Sequence, residues 1–190
     1  MFPTRMWIFD DRWTMGLLAA LPFVFMLLMV MHRSPLDSPN GSFLNSATGN
    51  GHRYGLVYYA ISWTLLAIFL FDDRMVAGIA IAAMSFGDGI GGLVGKRYGK
   101  RKLFRSKTYT GTTAVFLGTF LSALAVMAFY TILSGYLPYL GVPAMTPSMA
   151  IAAAALAGAF VAVVELFSPG EYDNLIVPLS TAALMLAVGL

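Results

Sequence analysis

The chain has 190 residues, of which 58% are hydrophobic and 11% are charged, and its mean hydropathy is +0.75. A soluble domain of this size cannot bury so much apolar surface, so the composition predicts a chain that lies in a lipid bilayer. The chain has no cysteine, which excludes disulfides, thiolate metal sites and cysteine nucleophiles, and its 2 histidines are too few for a histidine-rich metal site.

Six apolar segments have about the length that a transmembrane helix requires, roughly 17 to 25 residues. They are Trp13–Met31, Tyr54–Phe71, Met75–Gly95, Gly111–Leu133, Met149–Phe167 and Leu175–Leu190. The connection Asp72–Arg74 is very short, which predicts an antiparallel hairpin of the second and third segments. The sequence therefore predicts an all-α polytopic membrane protein, a single domain over residues 1–190, with a broken, glycine-rich third helix.

Positive charge indicates how these segments are oriented. Of the 12 lysines and arginines, 7 lie in residues 96–107, which we call the basic loop. Lysine and arginine near span ends favour the cytoplasmic side, so the basic loop is predicted to be cytoplasmic. With six spans, the turn Ser168–Asn174 and the polar loop His32–Arg53 then lie on the same side as the basic loop, and both termini lie outside.

Asp88 is an acidic residue within an apolar segment. It precedes Lys96 by 8 residues, which places it near the boundary of the hydrocarbon core. An ionised group inside a bilayer costs several kcal/mol, so it indicates a function unless a neighbouring arginine or lysine simply pairs with it. The glycines around Asp88 weaken a helix and also allow close helix packing. They are Gly87, Gly89, Gly91, Gly92 and Gly95.

The basic loop taken alone is typical of a segment that contacts anionic lipid head groups and sets topology. The run Lys107–Gly111 follows it with a cation, hydroxyl groups and backbone N–H groups at the start of a helix. Such a helix start favours anions and is well suited to phosphate. Together with Asp88, this run favours a phosphate-binding interpretation of the loop.

A second acidic feature lies between the fifth and sixth segments. Glu165 ends the fifth segment, Asp173 opens the sixth, and Pro169 and Gly170 break the helix between them. Two carboxylates at such a break can hold Mg²⁺, which prefers oxygen ligands. Alternatively, Asp173 only caps the sixth helix and Glu165 only reaches towards the membrane interface.

Four stretches together resemble a known family. They are GLVYYAISWTLLAIF at 55–69, GDGIGGLVGKRYGK at 87–100, KTYTG at 107–111, and Glu165 followed by DNLIVPL at 173–179. In this order, over about residues 54–181, the chain resembles the CTP-dependent polyprenol kinase family, which includes dolichol, phytol and farnesol kinases, and is closest to the phytol kinase branch. Thr108 stands where the family has serine, and we find no counterpart of its usual N-terminal helix with an Arg-Lys…His motif.

The resemblance implies a membrane-embedded enzyme that transfers the γ-phosphoryl group of CTP to the hydroxyl of an isoprenoid alcohol of the phytol, farnesol, geranylgeraniol or dolichol type. It implies Mg²⁺ as cofactor and an active site on the cytoplasmic face of a prokaryotic cell membrane or an organellar membrane. The lipid bilayer, the alcohol and CTP are the expected partners, without nucleic acid, and a homo-oligomer stays open. The alternatives are a phosphatidate cytidylyltransferase-like enzyme and a small membrane carrier that uses Asp88 as an ion or proton site.

The resemblance also assigns roles to residues. Asp88 and Lys107 are the candidate catalytic residues, and Asp88 is either a metal ligand or the group that accepts the alcohol proton. The metal ligands are Glu165, Asp173 and, in the first case, Asp88. The candidate phosphate-binding residues are Lys96, Arg97, Lys100, Thr108 and Gly111. Gly87, Gly89, Gly91, Gly92 and Asn174 shape the flexible segments of the site.

Overall fold

The computed structural model describes residues 55–137 and 142–190, together with residues 12–14, 16, 17, 20 and 24. From residue 55 onwards, the described chain is helical except for one small hairpin and short connections. Its elements are α1 (Gly55–Phe69), α2 (Arg74–Ala82), a π-helical segment (Ala83–Asp88), α3 (Gly89–Tyr98), β1 (Lys102–Phe104), β2 (Lys107–Thr108), α4 (Tyr109–Tyr136), α5 (Pro147–Phe167), a 3₁₀ turn (Gly170–Tyr172) and α6 (Asp173–Ala187).

Helix α2 forms the centre of the bundle. All 9 of its residues are buried, and α1, α4 and α6 pack against it. Its Ile79 belongs to the same buried apolar cluster as Tyr130 of α4 and Met185 of α6. A helix that is apolar on every side is stable only where other helices or lipid surround it, which explains this central position.

The third segment was predicted to be a broken helix, but it is a continuous helix that contains one π-helical turn. The chain stays helical over 25 residues, from Arg74 to Tyr98, and the π-helical segment ends at Asp88. The glycines do not open this helix, because those of one face pack directly on α4. A Cβ atom added at Gly87 would lie 2.1 Å from Thr119 Oγ1, and one added at Gly91 would lie 2.1 Å from Val115 Cγ2.

The described helices confirm an all-α polytopic membrane protein. Three of them are long and apolar enough to cross a bilayer, namely Arg74–Tyr98, Tyr109–Tyr136 and Pro147–Phe167. Helices α1 and α6 have 15 residues each, about 22 Å, so they are shorter than the spans predicted for them. The first predicted span and the loop His32–Arg53 lie almost wholly outside the described residues.

The basic loop contains an ordered hairpin that the sequence did not predict. Strands β1 and β2 pair antiparallel, with Lys102 opposite Thr108 and Phe104 opposite Lys107. Arg105 makes the turn in a left-handed conformation with φ of 49°. The ring of Phe104 contacts that of Phe167 with centroids 5.3 Å apart. This contact attaches the hairpin to the end of α5 and brings Lys107 towards that helix.

Candidate functional site

Four charged side chains meet at the end of the bundle where the hairpin lies. Asp88 ends the π-helical segment, Lys107 begins β2, Glu165 lies in the last turn of α5, and Asp173 begins α6. Each residue comes from a different element, so the cluster depends on how the whole bundle packs. The structure thus brings the acidic turn and the run that follows the basic residues to the same end of the molecule.

Lys107 is the link between these elements. Its Nζ donates a hydrogen bond to Glu165 Oε1 in an ion pair, and it lies 3.9 Å from Asp173 Oδ2. The side chain of Glu165 is only 4% exposed. The second oxygen, Glu165 Oε2, is buried and has no hydrogen-bond partner in the part of the chain that the structure describes. A buried carboxylate oxygen without a partner is costly, so this atom is well placed to bind a cation or a hydrogen-bond donor.

The electrostatics of Lys107 follow from this environment. Burial alone lowers the pKa of its amine, because it disfavours the charged form. The hydrogen bond to Glu165 and the negative charges of Glu165, Asp88 and Asp173 outweigh burial and raise the pKa above its ordinary value. Lys107 is therefore a permanent cation at any physiological pH, surrounded by carboxylates.

The Asp88 carboxylate is half-buried and close enough to act electrostatically on Lys107. Within the described residues, no hydrogen bond or ion pair holds it. The simple alternative, an aspartate neutralised by direct contact with a neighbouring arginine or lysine, is not what the described residues show. Its oxygens are left available for a proton or a cation.

The start of α6 is fixed by several contacts around Asp173 and Asn174. The N–H of Asn174 donates to Asp173 Oδ1 at 2.8 Å, and the hydroxyl of Ser62 in α1 donates to the carbonyl of Asn174 at 2.6 Å. The ring of Tyr58 stacks on that of Tyr172, with centroids 5.2 Å apart. Asn174 thus contributes to the geometry of the site through its backbone.

The predicted phosphate-binding residues fall into two groups. Lys96 and Arg97 lie in the last turn of α3, and these two and Lys100 are exposed. Among the described residues none of the three forms an ion pair with a carboxylate, so their charges are available to an incoming anion. Thr108 instead caps α4, and its hydroxyl accepts a hydrogen bond from the N–H of Gly111 at 3.1 Å. The amide of Gly111 is therefore engaged in the cap and does not face outward as a free donor.

The glycines of the third segment also divide into two groups. Gly87 and Gly91 lie against α4, where a side chain would collide with Thr119 and Val115. A Cβ atom added at Gly89 or Gly92 would meet no other atom of the described chain within 4 Å. The first pair determines how closely the π-helical segment and α3 approach α4, whereas the second pair leaves the outer face of α3 uncovered.

The oxygen atoms of the cluster suit Mg²⁺. The described residues contain no group of three histidine, cysteine or acidic side chains arranged around a metal position. Magnesium, however, is usually held by one or two carboxylates, with waters and substrate phosphates completing the shell. The unpartnered Glu165 Oε2 and the nearby Asp173 supply such a pair. The residues present therefore fit a magnesium–phosphate complex.

Three hydroxyl residues near the site were not found from the sequence. They are Ser62, Tyr59 and Ser85. The hydroxyls of Tyr59 and Ser85 form a hydrogen bond of 2.8 Å between α1 and the π-helical segment. The sequence did indicate that the Asn174 carbonyl needs another donor, because Pro178 follows Asn174 by 4 residues and has no N–H to bond that carbonyl, but it did not indicate that Ser62 supplies the donor.

Fold and site together define a polytopic membrane protein with a cation held among carboxylates at one end of its helix bundle. Sequence comparison places this chain beside the phytol kinases. It is 36% identical over 137 residues to the phytol kinase of Synechocystis sp. and 30% identical over 129 residues to a probable chloroplastic phytol kinase 2 of Glycine max. Over 125 residues it is 28% identical to the chloroplastic phytol kinase 1 of Arabidopsis thaliana. The resemblance to the phytol kinase branch of the polyprenol kinase family is thereby confirmed.

These matches cover 69%, 67% and 63% of this chain, respectively. The chain spans about half or less of the curated relatives it matches, namely 53%, 42% and 40% of their lengths. No protein-family model matches the chain, and no solved structure gives a significant match. The similarity to phytol kinases therefore rests on the sequence relatives.

Proposed function

We propose that this chain carries the phosphoryl-transfer site of a CTP-dependent kinase that acts on an isoprenoid alcohol. The names of its relatives, which are phytol kinases, support a kinase that acts on such an alcohol. The observation that carries the proposal is the cluster of Lys107, Glu165 and Asp173 with its unpartnered, buried carboxylate oxygen. Phosphoryl transfer requires mainly positioning and charge stabilisation, and this cluster offers both signs of charge within a few ångströms.

The exposed cations at the end of α3 are the proposed contacts to the triphosphate. Lys96, Arg97 and Lys100 lie just before the hairpin that carries Lys107. An arginine or lysine bonds phosphate oxygens with charge-assisted hydrogen bonds, which are about twice as strong as neutral ones. Lys107 lies deeper, between the carboxylates, and its positive charge is proposed to face the transferred γ-phosphoryl group.

Glu165 and Asp173 are the proposed ligands of Mg²⁺, directly or through water. When bound there, the ion neutralises charge on the nucleotide phosphates. Lys107 keeps the two carboxylates close together, because its amine pairs with one and lies 3.9 Å from the other. The protein's own contribution is to hold these groups in place before the nucleotide arrives.

Asp88 is the proposed acceptor of the alcohol proton. The alcohol oxygen forms a bond to the γ-phosphorus, the bond between the γ-phosphorus and the bridging oxygen breaks, CDP leaves, and the hydroxyl proton passes to the Asp88 carboxylate. One observation supports this role over that of a metal ligand, since Asp88 precedes Gly89, whose outer side is uncovered. A lipid alcohol in the bilayer has an open approach along that face.

The protein is proposed to act in a prokaryotic cell membrane or an organellar membrane, with the site on the cytoplasmic or equivalent side. A long alcohol lies in the apolar phase with its hydroxyl at the interface, while Mg-CTP comes from the aqueous side. The apolar side chains next to the uncovered glycines fit this arrangement, since Phe86 and Leu93 are exposed. In a bilayer these two residues contact lipid tails or the tail of the substrate.

The proposal is tested with the purified protein, CTP labelled in its γ-phosphate, and a panel of phytol, farnesol, geranylgeraniol and dolichol. We expect label in the lipid fraction for at least one alcohol. Asp88→Asn and Glu165→Gln are each expected to reduce the rate by at least about 100-fold. The matched control is Asp72→Asn, which removes an exposed carboxylate paired with Arg12 elsewhere in the chain and is expected to retain activity.

The destination of the label also distinguishes the proposed kinase from the two alternatives. Label in pyrophosphate, with CMP joined to lipid, would identify a cytidylyltransferase-like enzyme. No transfer with any alcohol, together with no binding of Mg-CTP, would contradict the proposal and favour a membrane carrier. Full activity of Asp88→Asn would remove Asp88 from the mechanism.

A further inference from the structure

We infer that helix α1 positions the start of α6, which carries the proposed magnesium ligand Asp173. Ser62 of α1 does so by donating a hydrogen bond to the backbone carbonyl of Asn174, which has no helical donor because Pro178 lacks an N–H. The inference rests on the proposed function only for the role of Asp173. Ser62 itself touches neither substrate nor metal in this proposal, so it is a positioning residue.

The first step is a missing bond inside α6. In an α-helix each carbonyl accepts from the N–H four residues later, and the residue four positions after Asn174 is Pro178. Proline has no N–H, so the Asn174 carbonyl has no partner of this kind in its own helix. Pro178 lies inside α6, and Asn174 is partly buried, so an unpaired carbonyl there carries a cost.

The second step is the partner that α1 supplies. The Ser62 hydroxyl donates to the Asn174 carbonyl at 2.6 Å, across 112 residues of sequence, and Ser62 is fully buried. Side chains of neighbouring helices commonly satisfy the backbone groups that a membrane proline frees. Because Asn174 follows Asp173 directly, this bond ties the residue next to the proposed ligand to α1.

The third step is that α1 makes two further contacts around the site. One helical turn before Ser62, the hydroxyl of Tyr59 bonds that of Ser85 at 2.8 Å, in the π-helical segment that ends at Asp88. Tyr58 stacks on Tyr172, the residue before Asp173. Helix α1 contributes no carboxylate to the cluster, yet it contacts both segments that carry its aspartates. These contacts indicate a helix that sets the spacing of the site.

The test uses Ser62→Ala in two backgrounds, the natural chain and Pro178→Ala. Alanine at position 178 restores an N–H that bonds the Asn174 carbonyl, so the restored bond replaces that of Ser62. In the natural background we expect Ser62→Ala to speed amide hydrogen exchange at residues 172–177 and to weaken Mn²⁺ binding roughly 10-fold. In the Pro178→Ala background the same substitution is expected to change both by less than about twofold.

Ser180→Ala is the matched control, because the Ser180 hydroxyl bonds only carbonyls of its own helix. We expect it to leave exchange at residues 172–177 and Mn²⁺ affinity unchanged. Equal effects of Ser62→Ala in both backgrounds, or no effect in the natural one, would overturn the inference. Wild-type protein that binds no Mn²⁺ but shows the expected exchange pattern would contradict the proposed metal site alone and leave the positioning by Ser62 standing.

Discussion

Lys107 lies next to two carboxylates that a sequence motif does not reveal. The motif shows only a cation at a helix start, which is suited to phosphate. In the folded chain its amine already pairs with Glu165 and lies near Asp173. Removing one partner of a buried pair leaves an uncompensated charge, which typically costs about 3 to 5 kcal/mol. Lys107 is therefore expected to matter for stability as well as for the proposed chemistry.

The raised pKa of Lys107 predicts how this stability depends on pH. A lysine whose pKa is raised by folding stabilises the protein fully below its unfolded value, about 10.5, and loses that contribution only as pH rises through the higher folded value. We expect Lys107→Met to lower the free energy of unfolding by about 3 kcal/mol, equally from about pH 7 to pH 9.

The measurement is thermal unfolding of wild type and Lys107→Met in detergent across that pH range. Lys102→Met serves as the control, since Lys102 is exposed on β1 and is expected to change stability little. A difference between wild type and Lys107→Met that disappears between pH 7 and pH 9 would contradict the assigned pairing.

At the scale of elements, the contact between α3 and α4 is one that glycine makes possible. Gly91 faces Val115 of α4, whereas its neighbour Gly92 faces no atom of the described chain within 4 Å. The two positions therefore separate the packing role of glycine from its effect on helix propensity.

Gly91→Ala and Gly92→Ala are predicted to have opposite effects on stability. At Gly91 the added methyl group would lie 2.1 Å from Val115 Cγ2, and overpacking of this kind costs roughly 1 to 3 kcal/mol. At Gly92 alanine is the better helix former, by up to about 1 kcal/mol. Thermal unfolding of the two variants checks this, and equal destabilisation by both would show that the close helix contact is not as described.

The helices themselves were largely predictable. Thr146 and Pro147 form a strong helix start, and the observed α5 (Pro147–Phe167) differs from the predicted span only at that end. Apolar runs indicate a helix but not which residues of other helices it meets. The ion pair of Lys107 with Glu165 joins residues 58 positions apart, so it depends on packing and could not be derived from spacing. The hairpin escaped prediction because its strands have only 3 and 2 residues.

At the scale of the whole molecule, the site lies at one end of the bundle and the end of α4 marks the other. Helix α4 has 28 residues and extends about 42 Å, enough to cross a bilayer. Ser106 lies in the hairpin near its start, and Gly135 lies in its last turn; both residues are exposed. If α4 crosses the membrane, these positions face opposite sides.

The chain has no cysteine, so single cysteines report the orientation directly. We expect Ser106→Cys in intact cells to react with a membrane-impermeant maleimide only after permeabilisation, since positively charged loops remain inside. Gly135→Cys is the matched variant and is expected to react without permeabilisation. The reverse pattern would place the proposed nucleotide site on the side without CTP.

The π-helical segment also has a consequence for the rotational phase of the helix that follows it. A π turn closes its hydrogen bonds at i→i+5, so it holds one residue more than an α turn. That surplus residue turns everything after Asp88 by about 100° relative to a regular helix. The same residues wound as a regular α-helix would therefore swing Gly91 away from Val115, whereas loss of one residue between Ala83 and Phe86 would let the helix relax to regular winding with Gly91 still directed at Val115. The π turn in this short stretch thus keeps the glycine face directed at α4.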